Sequence, residues 1–369
     1  MLPEMTAKER TVAALSGHPV DYLPFSPFLA YVWESFPQAI QDQGQLEFHH
    51  QIGATPLWRG APCPVQAVPP NIETRTAVNG VYTLTEIETP VGSLRQVHRH
   101  SEMGNTNFLV EHPLKSVEDF KVQLWIEEHT TYRVDLAPVE EHFAGPGREG
   151  LSIGMLIPRG KTAFQSMIEH NVGTEELAYA LEDHRDIVEQ LWQAMVQGDL
   201  AAARLAAESS TYTHYLTWED SSTQNYSPRQ YERYIASEIQ QWCALLEAQG
   251  MHYIQHACGH LRALLSPMKA SGVYAVESIS PPPTGNIAIR EARAIVGSDF
   301  GIIGGIEPTQ FLNLSLAQLA PYVEQVIADG QGGPFVLANS DSCPPGVTIQ
   351  KFKLVADLAC RHAPWPIKR

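Results

Sequence analysis

The last third of the chain alternates regularly between short apolar runs and amphipathic stretches, and this pattern narrows the fold more than any other feature. Apolar runs at 253–256, 273–277, 300–306 and 335–338 are followed by helical stretches at 261–270, 289–296, 316–329 and 347–361. Strand–helix alternation at this spacing means parallel βαβ units. A (β/α)8 barrel and a doubly wound sheet both satisfy it. No G-x-G-x-x-G follows an early strand, so the dinucleotide-binding form of the doubly wound sheet loses its main support. The expected fold is α/β, a (β/α)8 TIM barrel forming one domain over residues 1–369, a length that suits a large barrel.

The earlier chain fits this frame with one interruption. Thr6-Ala7-Lys8-Glu9 has the layout of a capping box opening a helix to about Leu15, and residues 22–28 read as a first strand. Between 53 and 113 the character changes. Residues 81–87 alternate like a half-exposed strand and 90–97 follow after a turn, a β-hairpin signature read as an antiparallel insertion on the barrel. His98 and His100 sit at alternate positions there, a weak metal pair. Ser116 opens another helix. Strands are expected at 132–136, 151–157 and 212–216, and helices at 162–170, 174–181, 184–207 and 228–249, the last stopped by Gly250.

Composition removes several classes of function. A formal charge of −16 argues against a face that binds nucleic acid, which needs clustered Lys and Arg. No run approaches the roughly 18 apolar residues of a membrane span. The first ten residues lack the basic-then-apolar layout of a signal peptide. Five scattered cysteines make no disulfide framework and fit a reducing, cytoplasmic setting in which thiols serve as ligands or nucleophiles.

Two of those cysteines lie where strands are expected to end. In 253–260 an apolar run closes on His256 and Cys258, two positions apart. On a strand such residues share a side, and an imidazole beside a thiol suits Zn²⁺. A buried, inert cysteine is the alternative. Glu277, Glu307, Asp341 and Cys343 also fall at expected C-terminal strand ends, the face on which barrels build active sites.

At these residues the sequence resembles the uroporphyrinogen decarboxylase superfamily, in its zinc methyltransferase branch. The resemblance is carried by Thr6-Ala7-Lys8-Glu9-Arg10 with Ala13-Ala14-Leu15, by His256-Ala257-Cys258-Gly259, by Gly304-Gly305-Ile306-Glu307-Pro308 and by Pro344-Pro345-Gly346-Val347. It implies zinc on His256, Cys258 and Cys343. Cobalamin-independent methionine synthases, which share the barrel, place a zinc-binding Glu in similar order. Glu277 is therefore expected as a fourth, exchangeable ligand, with a loop-bonded carboxylate as the alternative. The chain departs from true decarboxylases, whose tetrapyrrole carboxylates call for arginines; residues 28–34 here contain none.

The resemblance further implies a small corrinoid-binding protein as partner, its cobalamin cobalt giving or taking a methyl group. The direction favoured is O-demethylation: a methyl group passes from a methoxylated small-molecule donor, aromatic ones included, to that cobalt. Alternatives are a corrinoid-to-thiol methyltransferase using coenzyme M or homocysteine, a decarboxylase, and a non-catalytic ligand-binding barrel. Tyr31, Trp33, Tyr215 and Trp218 are expected as an aromatic substrate wall, core packing explaining them equally well. Glu307, Asn339 and Asp341 are expected as further substrate contacts. Glu219 or Asp220 is expected to protonate the departing oxygen, and His260 to assist or to cap a loop. The sequence leaves the oligomeric state open, a homo-oligomer included.

Overall fold

Runs such as Gly301–Ile306 and Phe335–Asn339 are buried at every position, as only a strand covered on both faces can be. In the computed structural model, which describes residues 3–101, 106–209 and 211–366, seven largely buried strands run parallel in one curled sheet. In order around it they are Leu57–Ala61, Leu151–Met155, His214–Thr217, His252–His256, Ala275–Ile279, Gly301–Ile306 and Phe335–Asn339. Helices cover the outside, so the chain is the expected (β/α)8 barrel.

The eighth strand, expected at 22–28, is reduced to a single bridge between Phe25 and Leu337. Pro24 and Pro27 have no N–H to give, so this segment cannot form a full ladder. It closes the ring through a few bonds. Ser26 N–H donates to the Leu337 carbonyl (2.9 Å), Leu337 N–H to Pro24 (3.0 Å), and Thr55 N–H to Phe25 (2.8 Å). Asn339 adds a side-chain clip. Its Oδ1 accepts from Phe28 N–H at 2.9 Å, and its Nδ2 donates to the carbonyls of Phe28 (2.9 Å) and Asp341 (2.6 Å).

Both expected helix starts form complete capping boxes, Thr6 with Glu9 ahead of Ala7–Leu15 and Ser116 with Asp119 ahead of Val117–His129. The expected helices 162–170 and 228–249 each contain a π-helical turn, Met167–Asn171 and Tyr231–Ala236, which periodicity does not reveal. The hairpin grows into a four-stranded antiparallel sheet of Glu73–Asn79, Tyr82–Thr89, Gly92–Ser101 and Thr106–Glu111. The range 53–113 also takes in the barrel strand Leu57–Ala61, and Val65–Val68, which pairs with Thr131–Val134; the excursion proper starts later than expected. No helix among the described residues is long and apolar enough to cross a membrane.

Candidate active site

His256 is the last residue of its strand, Cys258 follows two residues on, and Asp220 lies just beyond the neighbouring strand His214–Thr217. All three reach the C-terminal rim of the barrel. One donor atom from each lies within 4.8 Å of the others, the one such group of three or more among the described residues. Cys258 Sγ donates to Asp220 Oδ1 at 3.3 Å, and His256 Nε2 stands 3.7 Å from the same oxygen.

His256 is aimed from behind. Its Nδ1 bonds Glu277 Oε2, which leaves Nε2 toward Asp220 and Cys258. Glu277 Oε1 forms an ion pair with Arg59 Nε at 3.0 Å, the two side chains 0% and 1% exposed. Arg59 sits on Leu57–Ala61 and Glu277 on Ala275–Ile279, four strands apart in the ring, so this pair crosses the barrel interior. Arg59 Nη2 also donates to the Ser26 carbonyl (2.9 Å). Burial disfavours a charge on His256, but Glu277 outweighs it and holds the imidazole pKa well above its usual value. Burial likewise works against the Glu277 charge, yet His256 and Arg59 bring its pKa below the ordinary range. The expected fourth ligand therefore has Oε2 bonded to the imidazole, while Oε1 is ion-paired with the guanidinium but makes no hydrogen bond.

On the solvent side, Lys161 Nζ lies 3.3 Å from Asp220 and bonds Glu169. Burial alone would raise the Asp220 pKa; Lys161 and His256 reverse that and keep it low. Burial pushes the Cys258 thiol up to about 11 despite the nearby imidazole. Asp341, half-buried on the rim, has its pKa raised by burial, and its charge is felt by Cys258 and countered by His256. Burial drives the Glu219 pKa up to about 7. Its carboxylate is fully buried, accepting from Thr162 N–H, from Thr162 Oγ1 (2.8 Å) and from Thr217 Oγ1 (3.0 Å). Adjacent in sequence, Asp220 faces the cluster while Glu219 ties a loop to a strand.

Of the expected aromatic wall, Trp218 alone stands against the cluster, edge-on to His256 with ring centroids 5.0 Å apart. It stacks on Phe28 (5.6 Å, 10°), and Gly60, at φ 69°, lies so close that a Cβ there would fall 2.5 Å from the indole. Tyr215 turns the other way, out of the barrel, its hydroxyl on the Ala206 carbonyl at 2.9 Å. Trp33 packs edge-on against Phe36 and Phe48, and Tyr31 is exposed, its backbone bridged to Cys343. Glu307 is spent as the N-cap of Pro308–Asn313, and Asn339 on the closing segment. His260 is half-buried, its N–H on Ser222 Oγ. Cys343 is fully buried outside the cluster, its thiol pKa pushed far up by burial. Arg59 and Lys161, which sequence reasoning missed, are the cations that bracket the site. A lone Arg between Pro56 and Pro62 was the available signal for the first.

The model of the family described as uroporphyrinogen decarboxylase (URO-D) matches residues 162–362, more than half of the chain. The chain belongs to the uroporphyrinogen decarboxylase family. The matched region carries Asp220, His256, Cys258, Glu277 and Cys343; Arg59 lies outside it. No curated protein matches the chain. Among solved structures, a methyltransferase from Methanosarcina mazei shares the fold at a TM-score of 0.60, with 13% identity over 97% of this chain and 99% of that one. A B12-independent methionine synthase from Shewanella sp. W3-18-1 superposes at a TM-score of 0.45, with 9% identity over 92% and 97%. At these identities the likeness is one of fold.

Proposed function

We propose that the chain is a zinc-dependent methyltransferase moving a methyl group from a methoxylated aromatic substrate to the cobalt of a corrinoid carried by a small partner protein. The observation that carries this reading is the imidazole–thiol–carboxylate cluster at the rim of a barrel of this family. The donor set fits zinc. His256 offers Nε2, its other nitrogen held by a carboxylate as is usual for a metal-binding imidazole, and Cys258 offers a thiol that burial leaves protonated in the free protein. Asp220 already faces both; Cys343, proposed as the second thiol, lies outside that group and would have to approach it on metal binding. Glu277 contributes by orienting His256.

Zinc held there supplies Lewis acidity toward an ether oxygen, easing its departure as a phenolate or alkoxide. With a corrinoid partner supplying Co(I), the methyl group would pass to it while the oxygen kept the bonding pair and took up a proton. Lys161, kept cationic by Asp220 and Glu169 against the pull of burial, places positive charge beside the carboxylate. His260, half-buried on the same rim, is the proposed proton donor. Trp218, backed by Phe28, covers one side of His256. Decarboxylation is not favoured, because residues 28–34 offer no arginine for a polycarboxylate.

Metal analysis of the purified protein beside Cys258→Ala and Cys343→Ser tests the reading. About one zinc per chain is expected in the wild type, lost in both variants. Co(I) cobalamin should then take a methyl group from methoxy aromatics. Absence of metal after zinc addition, or full metal and turnover in either variant, refutes it. Transfer from methylcobalamin to a thiol, with none from an ether, would make it a thiol methyltransferase instead.

A further inference from the structure

Five consecutive residues beyond the strand Leu151–Met155 each hold a different part of the chain around the cluster. The Arg159 guanidinium spans two helices. Its Nε bonds both oxygens of Asp199 on Arg185–Ser209 at 3.0 Å, and its Nη1 and Nη2 reach Glu127 on Val117–His129 at 3.2 Å and 2.7 Å. The Gly160 carbonyl accepts from Trp218 N–H at 2.7 Å. Lys161 pairs with Asp220, and Thr162 holds Glu219 through its N–H and its hydroxyl. Ala163 N–H donates to Glu238 Oε2 at 3.0 Å, on the helix Ser237–Glu247. Residues 160–162 thus grip Trp218-Glu219-Asp220 along its whole length, and Arg159 and Ala163 fasten both ends of the grip to helices.

The two oxygens of Asp220 have separate neighbours. Oδ1 faces the cluster, 3.3 Å from Cys258 Sγ and 3.7 Å from His256 Nε2. Oδ2 faces Lys161 Nζ at 3.3 Å. The Asp220 side chain is 44% exposed and a carboxylate turns easily about its last bond, so burial does not hold it. Lys161 does, because Lys161 is itself fixed. Its side chain is 9% exposed and bonds Glu169 Oε2, while Glu169 Oε1 accepts from Gln165 Nε2 at 2.5 Å. A carboxylate can give a metal one oxygen or both. An ammonium seated on one of them leaves a single oxygen to give.

We infer that Lys161 is a positioning residue that reserves Oδ2, so that Asp220 presents only Oδ1 to the metal and a place on the metal stays free for substrate. Arg159 fixes the loop from which Lys161 reaches. The inference rests on the zinc reading of the cluster. A catalytic zinc needs such a free place, whereas a site filled by protein atoms is structural. Lys161 thereby does for a ligating carboxylate what Glu277 does for the imidazole.

The test loads the full chain with Co²⁺ in place of zinc, because the visible bands of that ion are strong with four ligands and weak with more. Lys161→Met and Lys161→Ala free Oδ2 to turn inward. Both should lose band intensity relative to the wild type, and both should bind imidazole, a neutral probe of the free place, at least about tenfold more weakly. Glu169→Gln breaks the same ion-pair network but keeps Lys161 on Asp220, and should match the wild type in both readouts. Arg159→Lys keeps the charge without the fork and should lie between. Unchanged bands and imidazole affinity in a folded, metal-loaded Lys161 variant, or losses as large in Glu169→Gln, overturn the inference and leave the zinc reading standing. Arg159→Lys identical to the wild type overturns the anchoring role. A wild type that takes up neither cobalt nor zinc sinks the zinc reading and the inference together.

Discussion

Glu277→Gln tests the link between the site and the barrel, because the substitution keeps size and shape and removes only charge. In the native protein Glu277 is fully buried between the His256 imidazole and the Arg59 guanidinium. At 3.0 Å, and with an effective dielectric near 20, the Arg59 pair alone corresponds to about 5 kcal/mol of attraction. Much of that offsets desolvation, so the pair adds little net stability over an apolar replacement, but removing one partner strands a buried charge at a cost of about 3–5 kcal/mol. Arg59 would keep the Ser26 carbonyl, the Phe28 ring face and a neutral amide, but no countercharge. The urea midpoint should fall accordingly, read by circular dichroism and tryptophan fluorescence together. Adding Arg59→Met to Glu277→Gln should recover most of the loss, since no unpaired charge then remains. Zinc affinity should drop about 10–100-fold in the single variant, because the imidazole loses the group that aims it. A loss under about 1 kcal/mol in Glu277→Gln, or a double variant worse than the sum of its singles, would refute the account of a charge held only by its partner.

Two further outcomes concern stability. Asn339→Ala removes three hydrogen bonds that fasten the closing segment and should cost about 2–4 kcal/mol in chemical unfolding; a loss below about 0.5 kcal/mol would mean the clip is redundant. His214 and His49 are buried, burial lowering their pKa values to about 3 and about 4. The unfolded chain protonates these rings below about pH 6.5 and the folded chain does not, so stability is full above that pH and falls as pH drops. At pH 5 each should cost about 2 kcal/mol relative to pH 7.5, and His214→Phe should remove about that much of the measured difference; an unchanged slope in the variant would contradict it.

Much of the architecture was legible because local rules and global fold agree. The capping boxes at Thr6 and Ser116 form as their spacing demands, and the alternation after residue 250 gives strands within a few residues of those expected. His256 and Cys258 were legible for the same reason, two positions apart at a strand's end. What escaped is where side chains point once neighbours are fixed. Leu57–Ala61 was hidden because Arg59 and Gly60 break its apolar run, although that Arg is buried by a partner some 200 residues away in sequence. Tyr215 and Glu219 carry groups suited to a site but spend them on a helix carbonyl and a loop N–H. Glu307 could have been read as a cap, since a Pro follows it directly, as at the first position of a helix.

The proline-interrupted seam of the barrel has a consequence for how the molecule comes apart. Elsewhere each strand is laced to its neighbours along most of its length, but between Leu337 and Thr55 the wall hangs on a few main-chain bonds and one asparagine. Local opening starts where the fewest bonds must break together, so this is the stave that yields first. Phe28 stands at its end, stacked on Trp218. Loosening of the barrel therefore also releases the Trp218 ring that stands against His256, so seam and site give way as a single cooperative event.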